Sequence, residues 1–145
     1  MQLIIETMAW GSVRYLEGLE LRDEVLRRPL GMSIADDPTD QEQEDCHICA
    51  VAENVLVGVL LLRRIDDRTL QMKQVAVAAS ARGRNVGRMM VCSAEQLAKE
   101  QGYGMIILHA RATAVPFYEK LGYSLKGAPY MEVGIPHRSM IKQLA

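Results

Sequence analysis

The sequence predicts an α/β fold on a mixed sheet, and three observations predict it. From Cys46 onward, strand-like runs and helical runs follow as three strands, a helix, a strand, a helix and further strands. Val75-Ala-Val77 leads through Ala78-Ala-Ser-Ala81 into Arg82-Gly-Arg-Asn-Val-Gly-Arg88, beyond which Val86, Met90, Leu97 and Ala98 recur at helical spacing, so this stretch reads as strand, turn and helix. Met105-Ile-Ile-Leu108 then forms a short unbroken apolar run of the kind buried on both faces, and the two strands joined by the central helix should be parallel neighbours through a right-handed crossover. With 145 residues, no repeat and no low-complexity tract, residues 1–145 read as one domain.

In chain order, Gln2 to Thr7 reads as a first strand around Leu-Ile-Ile, and Ser12 to Arg28 as an amphipathic helix ended by Pro29. Ile34 to Asp45 holds Asp36-Asp-Pro-Thr-Asp and Gln41-Glu-Gln-Glu-Asp, an acidic, breaker-rich stretch that reads as a solvated connector. Its competing reading is an acceptor-pocket wall that attracts a cationic amine. Cys46 to Ala52 and Leu56 to Arg63 flank the turn Glu53-Asn54, with Gly58 a candidate bulge. After the turn Asp66-Asp-Arg68, Leu70 to Val77 completes an antiparallel meander. The helix from Val86 to Lys99 stops before Gly102, a left-handed cap. A short helix follows, with Thr113 as its N-cap, Pro116 in its first turn and Gly122 closing it. Strands near Tyr123 to Lys126 and Arg138 to Gln143 end the chain.

Composition excludes several classes. A net charge of −1 argues against coating nucleic acid or an anionic membrane over a broad face. No apolar run approaches the roughly 18 residues of a membrane span, and Met1 to Trp10 lacks the features of a signal peptide, so the expected location is the cytoplasm. Three cysteines argue against a disulfide framework. In a strand, Cys46 and Cys49 point to opposite faces and cannot share a metal; no metal is expected.

The turn before the central helix carries the chemistry. The first N–H groups of a helix lack partners within it, and the macrodipole adds partial positive charge there. Arg82, Arg84 and Arg88 crowd the same residues, so the turn suits a diphosphate. A Walker loop would need Gly-Lys-Ser/Thr after Gly87, and a dinucleotide fingerprint would need three glycines after the first strand; both fail. Arg82-Gly83-Arg84-Asn85-Val86-Gly87 instead resembles the coenzyme A motif Q/R-x-x-G-x-G/A of the GNAT superfamily of N-acetyltransferases. Asn85 stands at the first motif glycine, and Asn tolerates positive φ best after glycine. Ala110-Arg111 through Gly122-Tyr123 resembles the second motif, N-x-x-A-x-x-x-Y-x-x-x-G-F/Y, through Ala114, Tyr118, Gly122 and Tyr123, with Arg111 in place of the usual Asn. Glu132-Val-Gly-Ile-Pro-His137 resembles a tail found in a subset of bacterial members.

The resemblance implies a central, mostly antiparallel sheet of six to seven strands with a splayed parallel pair. It implies acetyl-CoA as co-substrate, held by Val75, Ala76 and Val77 along the pantetheine arm, by Arg82, Gly83, Arg84, Asn85, Val86, Gly87 and Arg88 at the diphosphate, and by Arg111. Tyr118 matches the tyrosine that touches the coenzyme and protonates the departing thiolate. A phenol near pKa 10 is protonated at neutral pH and can donate. The strand before the turn carries Gln71, Lys73 and Gln74 where many relatives have a carboxylate, so Glu132 and His137 are candidates for work at the amine, with His109 and His47 behind them. The expected reaction is direct acetyl transfer in a ternary complex to a primary amine of a small molecule, peptide or protein. The alternative is a regulatory module that binds coenzyme A without turnover. Similar proteins are often homodimers.

Overall fold

The fold is taken from a computed structural model that describes residues 2–145. One seven-stranded mixed sheet runs through the chain in the order β1-β2-β3-β4-β5-β7-β6. Its strands are β1 (Leu3–Met8), β2 (Cys46–Ala52), β3 (Val55–Arg64), β4 (Thr69–Val77), β5 (Met105–Arg111), β6 (Ser124–Glu132) and β7 (Ile135–Gln143). The α-helices among the described residues are α1 (Val13–Arg22), α2 (Val86–Glu100) and α3 (Val115–Lys120). Two compact units divide the chain: residues up to Arg63 with Gln74–Ala94, and Arg64–Lys73 with Glu95–Ala145, so β4 and α2 contribute to both.

In the first unit, β1 pairs antiparallel with β2 and β2 with β3. Apart from their outer ends these two strands are buried residue after residue, with Ile48, Leu60, Leu61 and Leu62 at 2% exposure or less, because both faces are covered. Glu53 and Asn54 both take positive φ, 51° and 66°, the two-residue hairpin turn expected there. The expected bulge is also present: Ala50 pairs with Gly58 and Val51 with Leu56, which leaves Val57 extra. Gly58 is required by α2, since a Cβ there would lie 2.8 Å from Met90 Cε and 3.1 Å from Val86 Cγ1.

The helix expected over Ser12 to Arg28 is one helical run of three pitches. Ser12 Oγ accepts the Tyr15 N–H as N-cap, α1 ends at Arg22, a π-helical turn spans Asp23–Arg27, and a 3₁₀ turn carries Arg28–Leu30 to a left-handed Gly31. The wider turn accommodates two ion pairs. Arg22 and Arg27, five apart, both reach Asp37, and the i→i+5 pitch brings such residues towards one face where an α-helix would swing them apart.

In the second unit, β4 and β5 pair in parallel from Thr69–Met105 to Met72–Leu108, as the crossover predicts. This ladder ends before either strand does, so the backbone of Val75–Val77 lies outside it. The strand β5 is longer than expected and buries one face, not two: Ile106, Leu108 and Ala110 are buried while His109 is exposed. Thr113 is not an N-cap. The chain leaves β5 through a 3₁₀ turn at Ala112–Ala114, which absorbs Thr113, and α3 starts at Val115 with Pro116 in its first turn. The terminal strands are longer than the sequence suggests and form a hairpin, β6 antiparallel to β7, through Val133 and Gly134 at φ 46° and 77°. Behind it, buried Glu95 accepts from Tyr123 Oη at 2.8 Å and from Lys142 Nζ at 2.9 Å.

Candidate active site

In the first unit, Val75, Ala76 and Val77 close β4, with Ala76 buried and its neighbours half-buried. A 3₁₀ turn at Ala79–Ala81 follows, and then Arg82 in extended conformation. Gly83 and Asn85 both lie in the left-handed region, at φ 78° and 61°. Asn85 therefore does the backbone work of the motif glycine it replaces, and its carbonyl accepts the Met89 N–H at 3.0 Å to start α2. Arg82, Gly83, Arg84, Asn85 and Arg88 are exposed, Val86 is buried at 2%, and Gly87 is half-buried within the first turn of α2. A Cβ at Gly83 would meet nothing within 4 Å, so the cradle is open above it. Left-handed residues at Gly83 and Asn85, a helix N-terminus and exposed guanidinium groups thus lie together, a combination whose chemistry suits an anion.

Just upstream, Gln74 takes φ 58° in the interior of β4. A non-glycine residue in that region breaks the regular pleat, and alternation gives no warning of it. Gln74 Oε1 accepts from Arg27 Nη2 at 3.3 Å, which joins the strand to a buried charge network. Glu42, 4% exposed, takes two bonds from Arg22 at 2.8 Å each and a third from Tyr15 Oη at 2.8 Å. Asp37 is held bidentately by Arg27 at 2.9 and 2.8 Å. Burial disfavours the Glu42 anion, but the Arg22 guanidinium and the Tyr15 hydroxyl more than offset it and hold the carboxyl below its ordinary range. Burial, with the adjacent Glu42 carboxylate, pushes the Tyr15 phenol up to about 12. The acidic connector is therefore no solvated loop at Asp37 and Glu42; it is anchored through arginines of the preceding helical run, and those arginines neutralise the wall that would have drawn a cation.

In the second unit, the hairpin brings Glu132 and His137 together. Glu132 Oε2 lies 3.5 Å from His137 Nε2, and Glu132 Oε1 lies 3.4 Å from Nδ1 of His109 on β5. His137 is buried and its Nδ1 donates to the Ile135 carbonyl at 3.0 Å, so in the neutral ring the lone pair sits on Nε2, facing the carboxylate. Arg111, at the end of β5, is the register partner of His137. Tyr130 stacks edge-on to His109 at 5.8 Å, and its hydroxyl is buried with no hydrogen-bond partner. Tyr118 belongs to a different cluster: it is 7% exposed and edge-on to Phe117 and Tyr123 at 4.9 and 5.7 Å. Burial pushes its phenol up to about 12, so it keeps its proton at any physiological pH.

Sequence reading named His109 apart from Glu132 and missed Tyr130 and Gln74. The pairing of β5 with β7 joins residues more than twenty positions apart, and that register was not legible from local pattern. The alternation of His109 with buried Leu108 and Ala110 was the available signal.

Residues 30–144 match the Acetyltransferase (GNAT) domain family. A Bacillus subtilis protein named as an acetyltransferase is 37% identical over 127 residues, which cover 86% of each chain. The crystal structure of an N-acetyltransferase from Lactobacillus plantarum superposes with a TM-score of 0.88 at 26% identity, covering all of both chains. A GNAT acetyltransferase from Elizabethkingia anophelis with acetyl-CoA bound shares the fold, with a TM-score of 0.76 at 18% identity and 98% coverage of both chains.

Proposed function

This chain belongs to the GNAT family and is an acetyl-CoA-dependent N-acetyltransferase, and on that premise we propose that it acetylates a primary amine by direct attack within a ternary complex. The observation that carries the reading is the turn into α2. Gly83 and Asn85 hold left-handed backbone, α2 is 15 residues long, and exposed Arg82 and Arg84 lie in the turn before it with exposed Arg88 in its first turn, so the residues present fit a coenzyme A diphosphate. Arg82, Arg84, Arg88 and the N–H groups from Gly83 to Gly87 hold that group. The backbone of Val75–Val77, outside the parallel ladder, offers hydrogen bonds to the pantetheine arm, and Arg111 supplies a further cationic contact.

The thioester supplies an activated acetyl carbon. The amine nitrogen bonds to it as the carbon–sulfur bond breaks, one proton leaves the nitrogen and one reaches the sulfur. Tyr118 is the donor to sulfur: the buried phenol is protonated, and it recovers its proton after each turnover. His137 takes the proton from nitrogen on Nε2, with Glu132 beside it to stabilise the imidazolium so formed.

Acetyl-CoA should raise the melting temperature, and a bulky residue at Gly87 should abolish the rise. A shift with NAD or ATP but none with acetyl-CoA overturns the reading. A screen of amines and peptides for thiol release then identifies the acceptor; tight binding with no release to any acceptor favours the regulatory module.

A further inference from the structure

In the second unit, β4 and β5 stay paired only as far as Met72 and Leu108, and His109 is the first residue of β5 past that ladder. Strand alternation puts His109 on the face opposite buried Leu108 and Ala110, and its side chain is 42% exposed. The ring is nonetheless held. Glu132 Oε1 lies 3.4 Å from its Nδ1, and the Tyr130 ring packs edge-on against the imidazole at 5.8 Å. A carboxylate accepts hydrogen bonds and cannot donate, so Nδ1 carries the hydrogen and the neutral ring keeps its lone pair on Nε2. His137, on the other side of the same carboxylate, has the reverse setting. Its Nδ1 is spent on the Ile135 carbonyl, its Nε2 faces Glu132 Oε2, and its side chain is buried. One carboxylate thus serves two imidazoles, one inside and one open to solvent. By register and pleat, the other charged groups on this face are Lys73 on β4, Arg111 on β5 and Lys126 on β6, so Glu132 is the one anion among them.

Proton counting leaves the open imidazole a task. A primary alkylamine has a pKa near that of lysine, about 10.4, so at pH 7 only about one molecule in a few thousand is neutral and able to attack. The ammonium therefore loses two protons on its way to the amide, one before attack and one as the carbon–nitrogen bond forms. His137 takes the second. We propose that His109 takes the first: its Nε2 accepts a proton from the incoming ammonium, and the electron pair of the broken N–H bond stays on nitrogen as the lone pair that attacks the thioester. The imidazolium so formed keeps its Nδ1 bond to Glu132 and, being exposed, gives its proton to water before the next turnover. Glu132 is the positioning residue. It fixes the tautomer that leaves Nε2 as the acceptor, and its charge draws an ammonium to the site. The role rests on the acetyl-transfer reading above and narrows the acceptor to an amine that is charged in water, an alkylamine rather than an arylamine.

Benzylamine and aniline separate proton removal from a structural role, because the first is an ammonium at pH 7 and the second is already neutral. In His109→Gln the rate on benzylamine should fall relative to the rate on aniline by about a hundredfold or more, the usual contribution of a general base. The benzylamine deficit should shrink as pH rises towards the amine's own pKa, where the neutral form gains about tenfold per pH unit. Equal losses on the two amines, or a deficit that pH does not move, overturn the proposal. The melting shift with acetyl-CoA, expected to persist, shows that the variant is folded. Independently of any acceptor, ¹⁵N NMR of the imidazole rings reads the tautomers: His109 should hold its hydrogen on Nδ1 in the parent and lose that preference in Glu132→Gln. An Nε2–H tautomer in the parent overturns the proposal even where His109→Gln fails to fold. A parent protein that releases thiol with no amine of the screen overturns the acetyl-transfer reading, and this role with it, while the Nδ1–H tautomer stays in place.

Discussion

Glu42→Gln exchanges one oxygen of a buried carboxylate for an amide nitrogen and removes the counter-charge of Arg22. In the parent, three bonds of 2.8 Å converge on Glu42, two of them from one guanidinium. The glutamine can keep the Tyr15 bond and one Arg22 bond through its oxygen, but its NH₂ then faces the second guanidinium nitrogen, donor against donor. Breaking a buried pair by neutralising one partner costs about 3–5 kcal/mol. Asp37 Oδ2 lies 3.6 Å from Arg22 Nη2 and retains part of the attraction, which places the cost at the lower end, about 3 kcal/mol. For a chain of this size each kcal/mol moves the melting temperature by about 2–4 °C, so the expected fall is about 6–12 °C, read by calorimetry at neutral pH. The sign with pH is also fixed. The folded pKa of Glu42 lies below its ordinary 4.5, so the stabilisation is complete above that value and is lost as pH falls through the depressed folded value. Glu42→Gln should therefore narrow its deficit against the parent as pH drops below about 4.5. A fall of under about 2 °C, or a deficit that stays constant into acid, would refute the assignment of Glu42 as the charge that holds Arg22.

Three further outcomes are expected. Gly58→Ala places a Cβ 2.8 Å from Met90 Cε and 2.9 Å from its sulfur, a clash that the thioether end relieves in part, so chemical denaturation should show a loss of about 1–3 kcal/mol. Asn85→Gly removes the penalty for a left-handed side-chain-bearing residue, so calorimetric titration should show acetyl-CoA binding as tight as or a few-fold tighter than in the parent; weaker binding would mean that the Asn85 side chain, not the backbone, meets the coenzyme. Tyr118→Phe keeps the buried ring and its contacts with Phe117 and Tyr123, so melting and acetyl-CoA affinity should hold while kcat falls by about a hundredfold to ten-thousandfold; full turnover would remove Tyr118 as the acid.

The meander from β2 to β4 and the parallel step from β4 to β5 were legible because each element carries a local signature: apolar runs, the Glu53-Asn54 turn and the glycine-bearing turn before α2; the place of β7 between β5 and β6 was not. The site was legible where it is made of contiguous backbone. Arg82 to Arg88 form one turn whose shape is set by neighbours in sequence, and the left-handed Asn85 follows from what asparagine tolerates. It was less legible where side chains meet through register. His109, Tyr130, Glu132 and His137 gather only because β5 and β6 both pair with β7, and a slip of one residue would turn His109 to the other face.

The acidic connector shows the limit of reading charge from composition. Its carboxylates looked alike in sequence, yet Asp37 and Glu42 are tied to Arg27 and Arg22 while Asp36 and Asp40 stay exposed. What separates them is the pitch of the helical run before them. A regular α-helix from Val13 to Arg28 would scatter Arg22 and Arg27, and one of the two carboxylates would then lose its partner and return to solvent. The π-turn at Asp23–Arg27 keeps both arginines on Asp37 and leaves Arg22 free to grip Glu42. Asp23 supports that turn by accepting the Ile34 N–H at 2.8 Å and the Arg28 Nε–H at 2.7 Å, so the geometry that neutralises the pocket wall is fixed by a residue outside it. Replacing Asp23 by alanine removes both bonds and should loosen the grip on Glu42 without touching it. The hydrogen-exchange protection of Arg22 and Arg27 guanidinium groups reads this directly: faster exchange in Asp23→Ala is expected, and unchanged exchange would mean that the ion pairs hold the turn rather than the reverse.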